Sequence, residues 1–108
     1  MELNEYQKGA LKTCMGFDSG VQKLVYASIG LGGEAGEVLD LVKKYVWHGH
    51  PIRAAAVAKE LGDVLWYVAV TADAIGLTLE EVATLNLDKL AGRYPEGFNV
   101  DRSVNRED

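Results

Sequence analysis

The chain is expected to fold as an all-α domain, a bundle of four helices. Three observations carry that expectation. Only two prolines occur, Pro51 and Pro95, so long stretches contain nothing to break a helix. Apolar residues recur at three- and four-residue spacing over those stretches. Strand signals are poor: Lys23 to Ile29 (KLVYASI) has the composition of a short strand, but no second alternating run exists to pair with it.

A first helix spans about Leu3 to Met15 and sets Leu3, Tyr6, Ala10 and Cys14 on one stripe. Gly16 to Gly20 reads as a turn. The second and longest helix runs from about Val21 to Trp47, with Val38, Leu41, Val42 and Tyr45 at helical spacing, and Gly49-His50-Pro51 ends it. A third helix, about Arg53 to Ile75, repeats the pattern through Val57, Leu61, Val64, Leu65, Val68, Ala72 and Ile75. Gly76 then serves as C-cap, and Thr78 with Glu81 forms a capping box that opens a fourth helix. That helix carries Val82, Leu85, Asn86, Lys89 and Leu90 and stops before Pro95. From Asn99 the chain is polar and is expected to fray.

A length of 108 residues supports one domain, placed at 1–98 with a polar tail at 99–108. A chain of this size buries roughly 65% of its unfolded surface, enough for one core without staples. Eleven basic against sixteen acidic residues leave a net charge of −5, which argues against a nucleic-acid backbone as partner. The lone cysteine, Cys14, forms no internal disulfide, and a reducing compartment suits it. No apolar run approaches the ~20 residues that cross a bilayer, and the acidic start is unlike a targeting peptide. A soluble cytoplasmic protein, with no membrane partner, is the expectation.

The informative feature is a pair of carboxylate pairs. Glu34 and Glu37 stand three apart on the second helix, as do Glu60 and Asp63 on the third, so each pair shares one helix face. Each borders an apolar stripe. If the two helices pack antiparallel through those stripes, four carboxylates converge near the bundle interior. Such a cluster requires protonation or neutralisation, and a hard divalent cation such as Mg²⁺ or Mn²⁺ supplies it. The competing reading is two solvated acidic faces. Against it, the acids are flanked by small and apolar residues, including Gly36 and Gly62, which weaken a helix by roughly 1 kcal/mol each but allow close approach of another helix or a substrate.

Other candidates surround these acids. Asn86, Lys89 and Arg93 form one polar stripe on the fourth helix, read from spacing as a solvated face. Lys44 is set to pair with Asp40, leaving Lys43 as a candidate phosphate contact. Tyr67 shares the face of Glu60 and Asp63, where it either stacks on a base or sugar or joins the core. Trp47, at the mouth of the second helix, either covers a base or packs in a core or interface. His48 and His50 lack partners at metal-ligand spacing and are expected in solvent. Neither acidic pair is Glu-x-x-His, which disfavours a carboxylate-bridged di-iron site. Gly30-Leu31-Gly32-Gly33-Glu34-Ala35 matches a dinucleotide-binding pattern formally, but no strand–helix–strand unit surrounds it.

Glu34-x-x-Glu37 followed by Glu60-x-x-Asp63 resembles the signature of the MazG-like nucleotide pyrophosphohydrolases, within the all-α NTP pyrophosphatase superfamily. The resemblance runs through Gly30 to Glu37, Lys59 to Tyr67, and Asn86-Leu87-Asp88-Lys89-Leu90 to Arg93-Tyr94-Pro95, covering about residues 20–98. Gly33 stands where many members carry a further Glu, so no metal contact comes from that position. The resemblance implies cleavage of a nucleoside triphosphate between the α and β phosphates, releasing a monophosphate and pyrophosphate, in nucleotide-pool house-cleaning. It implies Mg²⁺, with Mn²⁺ as substitute, held by Glu34, Glu37, Glu60 and Asp63. Glu34 or Glu37 would take the proton of the attacking water, and Asn86, Lys89 and Arg93 would contact phosphate or sugar. It also implies a homodimer or homotetramer. Alternatives are a phosphoribosyl-ATP or deoxyuridine nucleotide hydrolase of the same superfamily, or a non-catalytic helical interaction protein.

Overall fold

The computed structural model of the chain describes residues 1–106. These form α1 (Leu3–Leu11), α2 (Gly20–Trp47), α3 (Ala54–Ala74), α4 (Leu79–Arg93) and a short α5 (Val100–Val104). No strand occurs among the described residues, and Lys23 to Ile29 lies inside α2. The four long helices match the sequence expectation in order and kind. Two points differ. The first helix stops at Leu11, so Cys14 and Met15 fall in the following loop. The expected frayed tail instead holds α5, because Asn99 accepts the Arg102 amide at 3.1 Å and caps a new helix. Residues 107 and 108 of that tail lie outside the described residues.

Local chemistry explains where each helix begins and ends. Ser19 caps α2 by accepting the Gln22 amide. Gly49, with φ +73°, lets the chain leave α2 in the left-handed region. At the end of α3, Gly76 (φ +79°) donates to the Asp73 carbonyl and Leu77 to the Ala72 carbonyl. That is the paired hydrogen-bond pattern of a Schellman stop. The Thr78–Glu81 capping box forms in both directions at the start of α4.

Antiparallel α2 and α3 make the principal contact, a long helical hairpin joined at residues 48–53. An ion pair between Lys23 and Asp73 fastens the start of α2 to the end of α3. Helices α1 and α4 pack on α3 and on each other near that same end. The core sits there: Ala10, Ala69 and Leu79, flanked by Tyr6, Trp66 and Val68.

Buried Gln7 organises this corner. Its amide nitrogen donates to the Ala69 and Leu77 carbonyls at 3.1 and 3.2 Å, and its oxygen accepts the Leu79 amide at 3.0 Å. One side chain therefore satisfies backbone groups on α3, on the turn and on the first residue of α4.

Much apolar surface stays uncovered. The chain exposes 7832 Å², whereas a compact protein of 11.7 kDa exposes about 5,900 Å². Its radius of gyration is 16.9 Å, against about 13 Å for a compact chain of this length. On α2, Val21, Val25, Ser28, Gly32, Ala35, Leu39, Val42 and Val46 are all exposed. They follow a strict alternation of four- and three-residue steps, so small and apolar residues form one continuous seam along the helix.

Candidate metal centre

Midway along the hairpin, one turn of α2 faces one turn of α3 and brings carboxylates together. Glu34, Glu60 and Asp63 each offer an oxygen within 4.8 Å of the others. Glu34 and Glu60 are half-buried and Asp63 is exposed. A cavity of about 290 Å³ opens beside them, lined by Glu34, Asp63, Trp66 and Tyr67. Partial desolvation, followed by the charges of Asp63, Glu60 and Glu37, pushes the Glu34 carboxyl above its ordinary range. Three hard oxygen donors, mutually repelling and open on one side, fit a divalent cation of the Mg²⁺ class.

Glu37 does not join that set. It is exposed one turn further along α2 and acts on Glu34 through its charge. The expected convergence of four carboxylates is thus a convergence of three with the fourth alongside. The reason is helical phase: three residues advance about 300° rather than a full turn, so both members of a pair need not reach the same point.

Aromatic side chains form the wall of the site. Tyr67 lines the cavity beside Glu34 and Asp63, in edge contact with Trp66 at 4.8 Å and tilted against Tyr26 at 6.1 Å. A hydrogen bond with Tyr26, then desolvation and the nearby carboxylates, raises its hydroxyl pKa. Trp66 is locked by its indole N–H, which donates to Thr13 Oγ1 at 2.9 Å and to the Ala10 carbonyl at 3.1 Å. Burial, and after it the charge of Asp63, raises the hydroxyl pKa of Tyr6 on α1. Sequence reasoning singled out Tyr67 but missed Trp66, Tyr6 and Tyr26. Trp66 adjoins Tyr67 in sequence, but its role depends on α1, and no helical period links the two segments.

The remaining candidates lie elsewhere. Lys44 pairs with Asp40 at 2.8 Å as expected, and Lys43 reaches the same carboxylate at 3.5 Å. Trp47 is 77% exposed at the end of α2, so it is not part of a core within this chain. His48 and His50 are exposed, as expected. Asn86, Lys89 and Arg93 ride on α4, which packs on α1 and α3. Lys89 and Arg93 line a separate cavity with α5, and none of the three lines the cavity beside Glu34. No helix of this chain closely approaches Gly36 or Gly62, since a Cβ at either would meet open space. A close approach occurs at Gly30, against Tyr67.

Residues 27–98 match the family model of the MazG nucleotide pyrophosphohydrolase domain. The chain belongs to that family. The match takes in the carboxylate triad, Glu37 and the polar stripe of α4, and it stops short of α5. The chain is also similar to the Gene 37 protein of Mycobacterium phage L5, 34% identical over 98% of this chain and the whole of that protein. No solved structure gives a significant match. Among the described residues, no helix is long and apolar enough to cross a membrane.

Proposed function

We propose that this MazG-family chain is a divalent-metal-dependent nucleoside triphosphate pyrophosphohydrolase. Its reaction cleaves between the α and β phosphates, yields a nucleoside monophosphate and pyrophosphate, and serves nucleotide-pool house-cleaning. The observation that carries this reading is the Glu34–Glu60–Asp63 triad beside an aromatic-walled cavity.

Glu34, Glu60 and Asp63 would hold Mg²⁺, or Mn²⁺ in its place. Such an ion supplies charge neutralisation for the triphosphate and a lowered pKa for bound water. Glu37 stands near Glu34 but outside the cluster of three carboxylates. Its carboxylate oxygens are therefore assigned the proton of the attacking water. Trp66 and Tyr67 offer ring faces to the nucleoside, and the locked indole limits the entropy lost on stacking. Lys89 and Arg93, with Asn86, are assigned to the phosphate chain.

The active form is proposed to be a homodimer formed through the α2 seam. The excess of about 1,900 Å² over a compact monomer is the amount of surface that an obligate partner would cover.

The test is pyrophosphate release from a panel of ribo- and deoxynucleoside triphosphates with Mg²⁺, Mn²⁺ or EDTA. Turnover is expected with metal and none with EDTA. Turnover that persists in EDTA would sink the metal assignment, and no turnover on any nucleotide would favour a binding module.

A further inference from the structure

Beyond the matched domain, the chain turns back on itself. Gly97 (φ +93°) donates to the Tyr94 carbonyl, and the rings of Tyr94 and Phe98 meet at 5.4 Å. This turn sets α5 beside the last turns of α4. Between them lies a cavity of about 570 Å³, larger than the one beside the triad. Four cationic side chains line it: Lys89 and Arg93 from α4, and Arg102 and Arg106 from α5 and its end. Asp101 is the one acidic residue in the lining among the described residues.

That concentration is unexpected in a chain with eleven basic residues and a net charge of −5. Complementing the carbonyl end of α4 accounts for Arg93 and for Lys89 one turn earlier. It does not account for two further arginines brought in by a separate helix. Among the described residues, no ion pair within 4 Å engages Lys89, Arg102 or Arg106. Clustered cations repel, and a multivalent anion is the ligand that reverses the sign of that interaction. Arginine forks suit phosphate oxygens in particular. Caps at both ends order the α5 backbone that carries the arginines, since Asn99 accepts the Arg102 amide and the Asn105 side chain donates to the Asp101 carbonyl.

We infer that the α4–α5 cavity binds a condensed phosphate chain, with Arg102 and Arg106 completing the contacts begun by Lys89 and Arg93. This deepens the reading of Lys89 and Arg93 given above and rests on it only for the source of the phosphate. Either the triphosphate of a nucleotide or released pyrophosphate supplies the same chemistry.

The test is calorimetric titration of the full chain with inorganic pyrophosphate in EDTA, where hydrolysis plays no part. Wild type is expected to bind. The double variant Arg102→Gln/Arg106→Gln should bind at least about tenfold more weakly, the loss expected from charge-assisted contacts. Arg102→Lys/Arg106→Lys, which keeps the charge, should recover part of that affinity at low salt. Circular dichroism melting of each variant would verify that the helices stay folded. No binding by wild type, equal binding by the glutamine variant, or no recovery by the lysine variant would each overturn the inference. Competition identifies the source: displacement by a non-hydrolysable nucleoside triphosphate marks the site as one for nucleotide, and persistence marks it as one for pyrophosphate. Because binding is read without turnover, an inactive protein that still binds pyrophosphate would defeat the proposed activity and leave this site standing.

Discussion

Tyr67 packs directly against the backbone of Gly30: a Cβ built on that glycine would fall 2.1 Å from Tyr67 Cε1. The contact fixes how closely α2 and α3 approach one turn before the carboxylates, and it aims the tyrosine at the cavity they share. Replacing glycine with alanine inside a helix ordinarily gains about 1 kcal/mol. At Gly30 overpacking should outweigh that gain, at about 1–3 kcal/mol, because Trp66 and Tyr26 hem the ring in. Gly30→Ala is therefore expected to lower the urea midpoint. Gly9→Ala, which meets open space on α1, should raise it. Equal gains at both sites would show that Tyr67 moves aside freely.

Gln7 supports a second expectation. Truncating it strands the Leu77 carbonyl and the Leu79 amide, both at the junction that launches α4. Losing buried partners of this kind costs about 2–4 kcal/mol in total. Gln7→Ala should lose that much stability in equilibrium unfolding, and amide exchange should rise first at the start of α4. A loss below about 0.5 kcal/mol would mean that water already serves those groups.

The four long helices were legible because their signals are local. Thr78 and Glu81, Gly76, and the Gly49-Pro51 stop each act within one turn, and each behaves as its chemistry requires. Lys44 and Asp40 are equally local. What was illegible depends on contacts between segments distant in sequence. Gln7 reads as an ordinary surface glutamine until α3 and α4 surround it. Trp66 becomes a fixed wall only through Ala10 and Thr13, more than fifty residues earlier. The carboxylate pairs were visible, but their split into a triad and a bystander depends on the phase of α2 against α3. Arg102 and Arg106 fall in a polar stretch without an apolar period, and their helix rests on the Asn99 cap.

The uncovered seam predicts the state in solution. Light scattering should return a mass at least twice the 11.7 kDa of one chain. Leu39→Glu places a charge in the middle of the seam, where burying an unpaired carboxylate is costly. It should shift the population towards monomer and lower the melting temperature in a concentration-dependent way. A monomeric wild type would refute the proposed assembly and leave the seam without an occupant.

The triad and Glu37 are separable by experiment because they are assigned different work. Glu34→Gln, Glu60→Gln and Asp63→Asn each remove a ligand. All three should lose Mg²⁺-dependent thermal stabilisation as well as turnover, the stabilisation being about 2.7 kcal/mol when metal stands at a hundred times its dissociation constant. Glu37→Gln should keep that stabilisation and lose turnover by about a hundredfold or more, as expected for a displaced general base. In EDTA the order reverses. Without metal, Glu34 contributes repulsion against Asp63 and Glu60, so Glu34→Gln should melt above wild type. A Glu37→Gln protein that loses the metal response would move Glu37 into the ligand set. One that keeps full turnover would leave the proton to another group.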